Sequence, residues 1–274
     1  MKTFFFLLLA VGPVAAQTVT SIPPAGRISN LLSQTVVPQS ASVSSADLVF
    51  PHFAIGDGWQ TTMVLVNMSG QTINFNEYFF DPSGAPTTVT FTTIPQGQVI
   101  TTSALMATLP PNQSFNFVLS STAPLKTGYA ALIYDAINTR LGGFAIFQQS
   151  TSAGTFEALV PLSAATDYKF YMPFDNRSGF LTSMAMVNPS STPTSVQMTF
   201  RMTTGETIAT RTLLLQPGQQ TAFVLPEFAP STIGVAGVLY VQGSNSLLSG
   251  LGFRFNPLGA FATVPIMNWT GMFP

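Results

Sequence analysis

Met63-Val64-Leu65-Val66-Asn67 and Met184-Ala185-Met186-Val187-Asn188 decide the reading of this chain, because they are one strand-length pattern met twice, 121 residues apart. Asp81-Pro82-Ser83-Gly84 and Met202-Thr203-Thr204-Gly205 keep the same offset. Farther along, Leu109-Pro110-Pro111-Asn112-Gln113 lies against Leu215-Gln216-Pro217-Gly218-Gln219, Phe117-Val118-Leu119 against Phe223-Val224-Leu225, and Gly128 and Tyr134 against Gly234 and Tyr240, all at 106. Self-similarity on this scale marks a tandem duplication. The drop from 121 to 106 places 15 extra residues in the first copy, between Gly84 and Leu109. Within them, Pro95-Gln96-Gly97 predicts the turn of an added hairpin.

Each copy opens on Pro and a Gly-aromatic pair, Pro51 with Gly58-Trp59 and Pro173 with Gly179-Phe180, and closes on Val160-Pro161 or Val264-Pro265. Between these marks lie β-branched and aromatic runs at 61–67, 73–81, 115–120, 128–134 and 143–149, separated by Gly, Pro, Asn and Asp. No window of about 11 residues or more between them carries a 3.6-residue period. Asp81-Pro82-Ser83-Gly84 has the order of a type I turn whose Gly is left-handed, predicted to join two antiparallel strands, with Thr204-Gly205 in the same role later. About seven short strands in roughly 100 residues is the count of an immunoglobulin-like sandwich. The expected fold is therefore all-β: two tandem immunoglobulin-like antiparallel β-sandwiches over 47–161 and 168–274, with 162–167 as linker.

The composition is 46% hydrophobic and 7% charged, with nine Lys+Arg against ten Asp+Glu. A net charge of −1 offers nothing to a phosphate backbone or an anionic membrane, which excludes nucleic acid as a partner. Without cysteine there is no disulfide and no thiolate chemistry, and a single histidine leaves little for zinc or a triad. No cofactor or metal is expected.

Met1-Lys2, an apolar run from Thr3 to Val11, the breaker Gly12-Pro13 and small Val14-Ala15-Ala16 predict an export signal over 1–16, cut before Gln17. A membrane anchor would need about 20 apolar residues, about twice what is present. Residues 17–46 change texture to Ser, Thr, Gln and Pro, with Arg27 as the one charge among residues 17–45, and read as an extended arm or linker. The expected location is extracellular or on the cell surface, with no membrane-spanning segment after cleavage.

Phe50-Pro51-His52-Phe53-Ala54, Gly58-Trp59-Gln60-Thr61-Thr62, Val64-Leu65-Val66-Asn67, Pro124-Leu125-Lys126-Thr127-Gly128-Tyr129, Gly252-Phe253-Arg254-Phe255-Asn256-Pro257 and Gly259-Ala260-Phe261 together resemble a two-copy secreted β-sandwich module. That module recurs in proteins of soil bacteria predicted to be extracellular, and the likeness covers about residues 48 to 267. It implies fold and export and carries no assigned activity.

Catalysis would have to start from His52 with Asp57 nearby, but no nucleophile elbow, S-x-x-K or H-E-x-x-H accompanies them, and Phe174 stands near the place of His52 in the second copy. The carboxylates are scattered and mostly lie in turns, so no pair for glycoside hydrolysis stands out. Asp57 and Asp175-Asn176 occupy equivalent loops without the dense spacing of a calcium site. The sequence points away from an enzyme. Trp59, Tyr168, Tyr171 and Trp269, with Tyr78, are candidate ligand-stacking aromatics, and Phe180 in the place of Trp59 favours packing for that one. Asn67, Asn112, Asn176 and Asn268 open glycosylation triplets, read as chance matches.

Two function classes follow. One is a non-enzymatic structural or adhesive surface or extracellular-matrix protein whose residues 17–45 add a strand to a sheet edge; the edge of its own first domain is favoured by the linkage, and only pairing with a neighbouring molecule would make the protein self-assembling. The other is a glycan-binding module acting on surface polysaccharide through exposed Trp and Tyr. An outer-membrane barrel is a distant third, since its strands run about 9–11 residues and these are mostly shorter.

Overall fold

The computed structural model describes residues 47–135, 139–163, 168–244 and 247–268. The expected export signal, all of the arm, most of the linker and Trp269 lie outside them. The first half runs β1 (Leu48–Ile55), β2 (Trp59–Asn67), β3 (Ile73–Phe80), β4 (Val89–Ile94), β5 (Val99–Thr102), β6 (Ala104–Leu109), β7 (Ser114–Ser120), β8 (Lys126–Tyr134), β9 (Leu141–Thr151) and β10 (Gly154–Pro161). The second runs β11 (Lys169–Asp175), β12 (Leu181–Val187), β13 (Thr194–Met202), β14 (Thr207–Leu215) and β15 (Gln220–Val224). It then passes a one-turn helix α1 (Leu225–Phe228) and a 3-10 turn (Pro230–Thr232) to β16 (Ala236–Gly243), β17 (Ser249–Phe255), β18 (Phe261–Val264) and β19 (Met267–Asn268). The chain is all-β with antiparallel sheets.

Four sheets form: sheet 1 in the order β1-β8-β3-β6, sheet 2 β10-β9-β2-β7-β4-β5, sheet 3 β14-β13-β16-β11-β19 and sheet 4 β15-β12-β17-β18. Sheet 3 repeats the order of sheet 1, and sheet 4 that of sheet 2, strand for strand. The additions are the β4–β5 hairpin, turning at Pro95-Gln96-Gly97 as expected, and β19 on the edge of β11. Eight strands are thus shared by the halves, against the seven expected. Their orders are not the ABED and CFG orders of an immunoglobulin constant domain, so the likeness is one of size and two-layer packing.

Registers locate corresponding residues. Met63 sits between Ala145 and Phe117, and Met184 between Gly252 and Phe223. Phe53 faces Gly128, and Phe174 faces Gly237. Gly128 therefore corresponds to Gly237 and Tyr134 to Gly243, three residues beyond the sequence alignment on Gly234 and Tyr240, because α1 and the 3-10 turn absorb three residues ahead of β16. Phe174 corresponds to Phe53, not to His52. In β1 the register slips between Phe50 and Phe53, a β-bulge that makes Pro51-His52 occupy the place of Pro173 alone.

The turn at Asp81 to Gly84 forms, with Gly84 left-handed at φ 88° and its N–H donating to Asp81 O. It does not join two hydrogen-bonded strands. After a single bridge, Phe80 to Pro86, the inserted chain crosses to sheet 2, whereas Thr204-Gly205 does join β13 to β14.

Each sheet pair buries its facing side chains. In the first half Phe53, Phe75 and Phe79 of sheet 1 meet Met63, Leu65, Phe91 and Phe117 of sheet 2, and in the second Phe174 and Phe200 meet Met184 and Met186. The quoted repeat ends each time on a buried Asn. Asn67 Nδ2 donates to Gln71 O, Leu109 O and Pro110 O while its Oδ1 accepts from Ser69. Asn188 makes the same set with Thr192, Leu215, Gln216 and Ser190. Every polar atom of a buried amide is used, which ties the end of one strand to the crossing between two others.

Candidate functional site

The halves meet along a joint that carries most of the unusual chemistry. Sheet 4 turns its outer face toward the first half, burying Ala185, Leu251, Phe253 and Phe261 in the first half's core, with Val187 against Val49, Phe80, Tyr129 and Ala131. At its centre Gln220, 3% exposed, donates through Nε2 to Pro51 O at 2.8 Å, to Gly128 O at 3.0 Å and to His52 Nδ1 at 2.8 Å. Two backbone carbonyls fix which way the amide points, so His52 Nδ1 accepts and the imidazole carries its proton on Nε2. Phe147 stacks on the imidazole at 5.9 Å, and burial holds His52 down to about 4. It is a neutral structural acceptor with no nucleophile in its hydrogen-bond set.

The bulge explains this placement. One extra residue in β1 re-aims the side chain, and the second half, lacking it, has no counterpart of His52. Close by, Gly84 lies against the backbone of Gly218: a Cβ on Gly84 would come within 2.8 Å of Gly218 O. Two turns quoted for their repetition thus touch each other across the joint.

Trp59 belongs to the same joint, its ring 5.2 Å from Phe261, in a packing role. Tyr168 is 44% exposed with the Lys169 ammonium 5.0 Å above its ring. Tyr171 pairs with Tyr240 on the outer face of sheet 3, ring centroids 4.8 Å apart, and Tyr240 Oη donates to Gln242 Oε1 at 2.9 Å. Tyr78, on β3, packs at the joint beside Tyr129. These aromatics do not form one cluster: Trp59 is partly buried in the joint, and Tyr168 and Tyr171 lie on the far half.

The loop carboxylates are engaged by protein donors. Asp57 Oδ2 accepts Leu125 N–H at 2.9 Å. Asp175 is held between Arg177 and Arg254, each at 2.9 Å, and the Arg177 hydrogen bond keeps its carboxyl down to about 2. The Arg254 guanidinium lies 3.6 Å from the centre of the Phe180 ring. Asn176, 5% exposed, accepts from Thr182 N and donates to Thr232 O. Among the described residues no group of three His, Cys, Asp or Glu gathers to hold a metal ion.

One buried group escaped the sequence reading. Glu77 on β3 is 0% exposed, neither carboxyl oxygen has a hydrogen-bond partner, and burial pushes it up to about 8. Its place in the second half is taken by Met198: Glu77 faces Leu132 as Met198 faces Val241. Alignment at offset 121 holds the signal, a Met and a Glu at one strand position. Between the halves a cleft of about 340 Å³ opens among Val160, Ser163, Phe170, Ser249, Thr263 and Ile266; Ser163 and Ser249 hydroxyls meet across it at 3.1 Å. No helix among the described residues is long and apolar enough to cross a membrane.

No protein-family model, curated protein or solved structure matches this chain.

Proposed function

We propose that this chain is an exported, non-enzymatic structural or adhesive surface protein built from two tandem copies of one eight-stranded sandwich of immunoglobulin-like size. The observation that carries the reading is the joint. The outer face of sheet 4 is buried against the first half and locked by Gln220, so the two copies act as one stiff building block instead of two modules on a tether. The likeness to a secreted two-copy module and the export-type N-terminus support the location. The test is to express the gene in a bacterial host with an export pathway. Surface or medium recovery of a chain whose intact mass starts at Gln17 is expected, and retention of residues 1–16 in the cytoplasm overturns the reading.

A specific observation favours a second reading. Tyr171 and Tyr240, flanked by Gln242, Gln197 and Lys169 in register on one sheet face, have the flat rings and amide edges that stack on sugars. Calorimetric titration with soluble polysaccharides separates the two: saturable heat lost in Tyr240→Ala favours the glycan module.

A further inference from the structure

We infer that this chain assembles head to tail, the outer face of sheet 2 of one molecule docking on the second half of the next and repeating between molecules the joint that holds the halves together. This rests on the two-copy structural reading above and names its partner, a second copy.

The joint inside the chain has a donor face and an acceptor. The donor face is Ala185, Val187, Leu251 and Phe253 on sheet 4. Register finds the corresponding residues on sheet 2: Val64 faces Phe144 as Ala185 faces Leu251, and Thr62 faces Ile146 as Ser183 faces Phe253. Val64, Phe144 and Ile146 are only partly buried, and the face does not end with them. Leu159, Ile146, Thr62, Val118, Thr92 and Val99 form one continuous row across all six strands, with Leu159 50% and Val99 65% exposed. The inserted hairpin widens this face. In the six strands of sheet 2 the one charged residue is Glu157. A sheet face of this breadth with one charge and with Leu159 and Val99 exposed at its two edges suits a protein contact.

The acceptor recurs as well. Inside the chain Val187 packs on Val49, Ala131, Tyr129 and Phe80. Val49 faces Ala131 as Tyr171 faces Tyr240, and Phe80 faces Tyr129 as Arg201 faces Val238, so sheet 3 presents Tyr171, Tyr240, Val238 and Arg201 at the matching places. The charges also match. In the internal joint Phe261 meets Trp59, and Phe253 meets Phe147. Between molecules Glu157 takes the place of Phe261, while Phe180 and Arg254 take those of Trp59 and Phe147. A carboxylate on the docking face would thus arrive beside the Arg177–Asp175–Arg254 group, two guanidinium ions on one carboxylate, which carries one net positive charge. An anionic edge meeting a cationic one selects a copy in this orientation.

The repeat of one joint by a heterologous contact does not close on itself, and it generates an open filament. The external joint lacks the internal hook, since Ser114 stands where Gln220 does and no bulge histidine faces it, so assembly is weaker than the internal joint and depends on concentration.

The test is sedimentation velocity of the full mature chain over a wide concentration range, with Ile146→Lys to block the docking face and Val238→Lys to block the acceptor. Wild type is expected to grow past dimer without a plateau. Each variant, with an unchanged far-ultraviolet spectrum and melting temperature, stays monomeric, and an equimolar mixture of the two gives a one-to-one complex and nothing larger, because one intact joint survives. A plateau at dimer that Val238→Lys leaves intact means that sheet 2 faces itself, and overturns the inference. Monomer at every concentration overturns it too, whether deletion of residues 17–45 then releases growth, which makes the arm the occupant, or changes nothing. Neither result touches export or the two-copy reading, which the intact-mass test decides separately.

Discussion

Gln220 Nε2 lies 2.8 Å from His52 Nδ1, joining residues 168 positions apart in sequence through a donor that also serves two backbone carbonyls. Protonating His52 would set N–H against N–H at the centre of the joint.

Acid therefore loosens the halves. The folded-state value of His52 is lowered to about 4 from 6.5 by burial, so between these values the unfolded chain binds a proton that the folded chain does not. Stability from this group is full above pH 6.5 and is lost as pH falls to about 4, by up to about 3 kcal/mol. His52→Asn keeps an acceptor without titrating. Urea unfolding of the wild type at a series of pH values is expected to be steeper on the acid side than that of the variant; identical curves would mean that the imidazole is not held neutral.

Glu77 works in the opposite sense. Its folded value of about 8 lies above the ordinary 4.5, so the folded chain holds a proton that the unfolded chain has lost, and stability falls as pH rises from 4.5 to 8. Between 4.5 and 6.5 the two groups oppose each other. From 6.5 to 8 Glu77 acts alone, with a loss of about 2 kcal/mol. Glu77→Met, which copies Met198, is expected to raise stability at pH 8 by at least that amount and to flatten this limb. A destabilised variant would show that the carboxyl has a partner in solution.

The Asn67 and Asn188 clamps predict paired losses. Asn67→Ala or Asn188→Ala leaves carbonyls at a strand crossing without donors and is expected to cost about 2–3 kcal/mol in denaturant unfolding. Similar losses in both variants, with one shared transition, fit a coupled joint. Two separate transitions would show that the halves unfold alone.

A fragment over residues 168–274 is expected to fold, since Phe170, Met172, Met184, Met198, Phe200 and Leu239 give the second half its own core. It should melt below the full chain and bind a hydrophobic dye, because Ala185, Leu251 and Phe253 lose their cover. A random-coil circular dichroism spectrum would mean that the core is shared.

The repetition at 121 was legible because Met63 and Asn67 recur as Met184 and Asn188, with Leu65 exchanged for another buried apolar residue, Met186, and because strands and turns follow from local chemistry. The β4–β5 hairpin was legible for the same reason. What escaped depends on distant pairing. The bulge at His52 shows up in the register of β1 against β8, and no local pattern distinguishes two residues facing one. The three-residue shift before β16 hid behind a chance Gly234. Phe180 in the place of Trp59 pointed to packing for that ring, but its partner, Phe261, is 202 positions away and no local pattern names it. The burial of Glu77 ran against the ordinary exposure of charged residues, and only its Met counterpart hints at it.

Asn67-Met68-Ser69 spells an attachment signal, yet its amide nitrogen is the one that donates to three carbonyls. In a eukaryotic secretory host a sugar is transferred to such a triplet on the nascent chain, before any strand has paired. A chain so modified has no free amide with which to lock the crossing, and Asn176, at 5% exposure, faces the same conflict. The choice of expression host thus decides whether the amide of Asn67 is free to close the strand crossing.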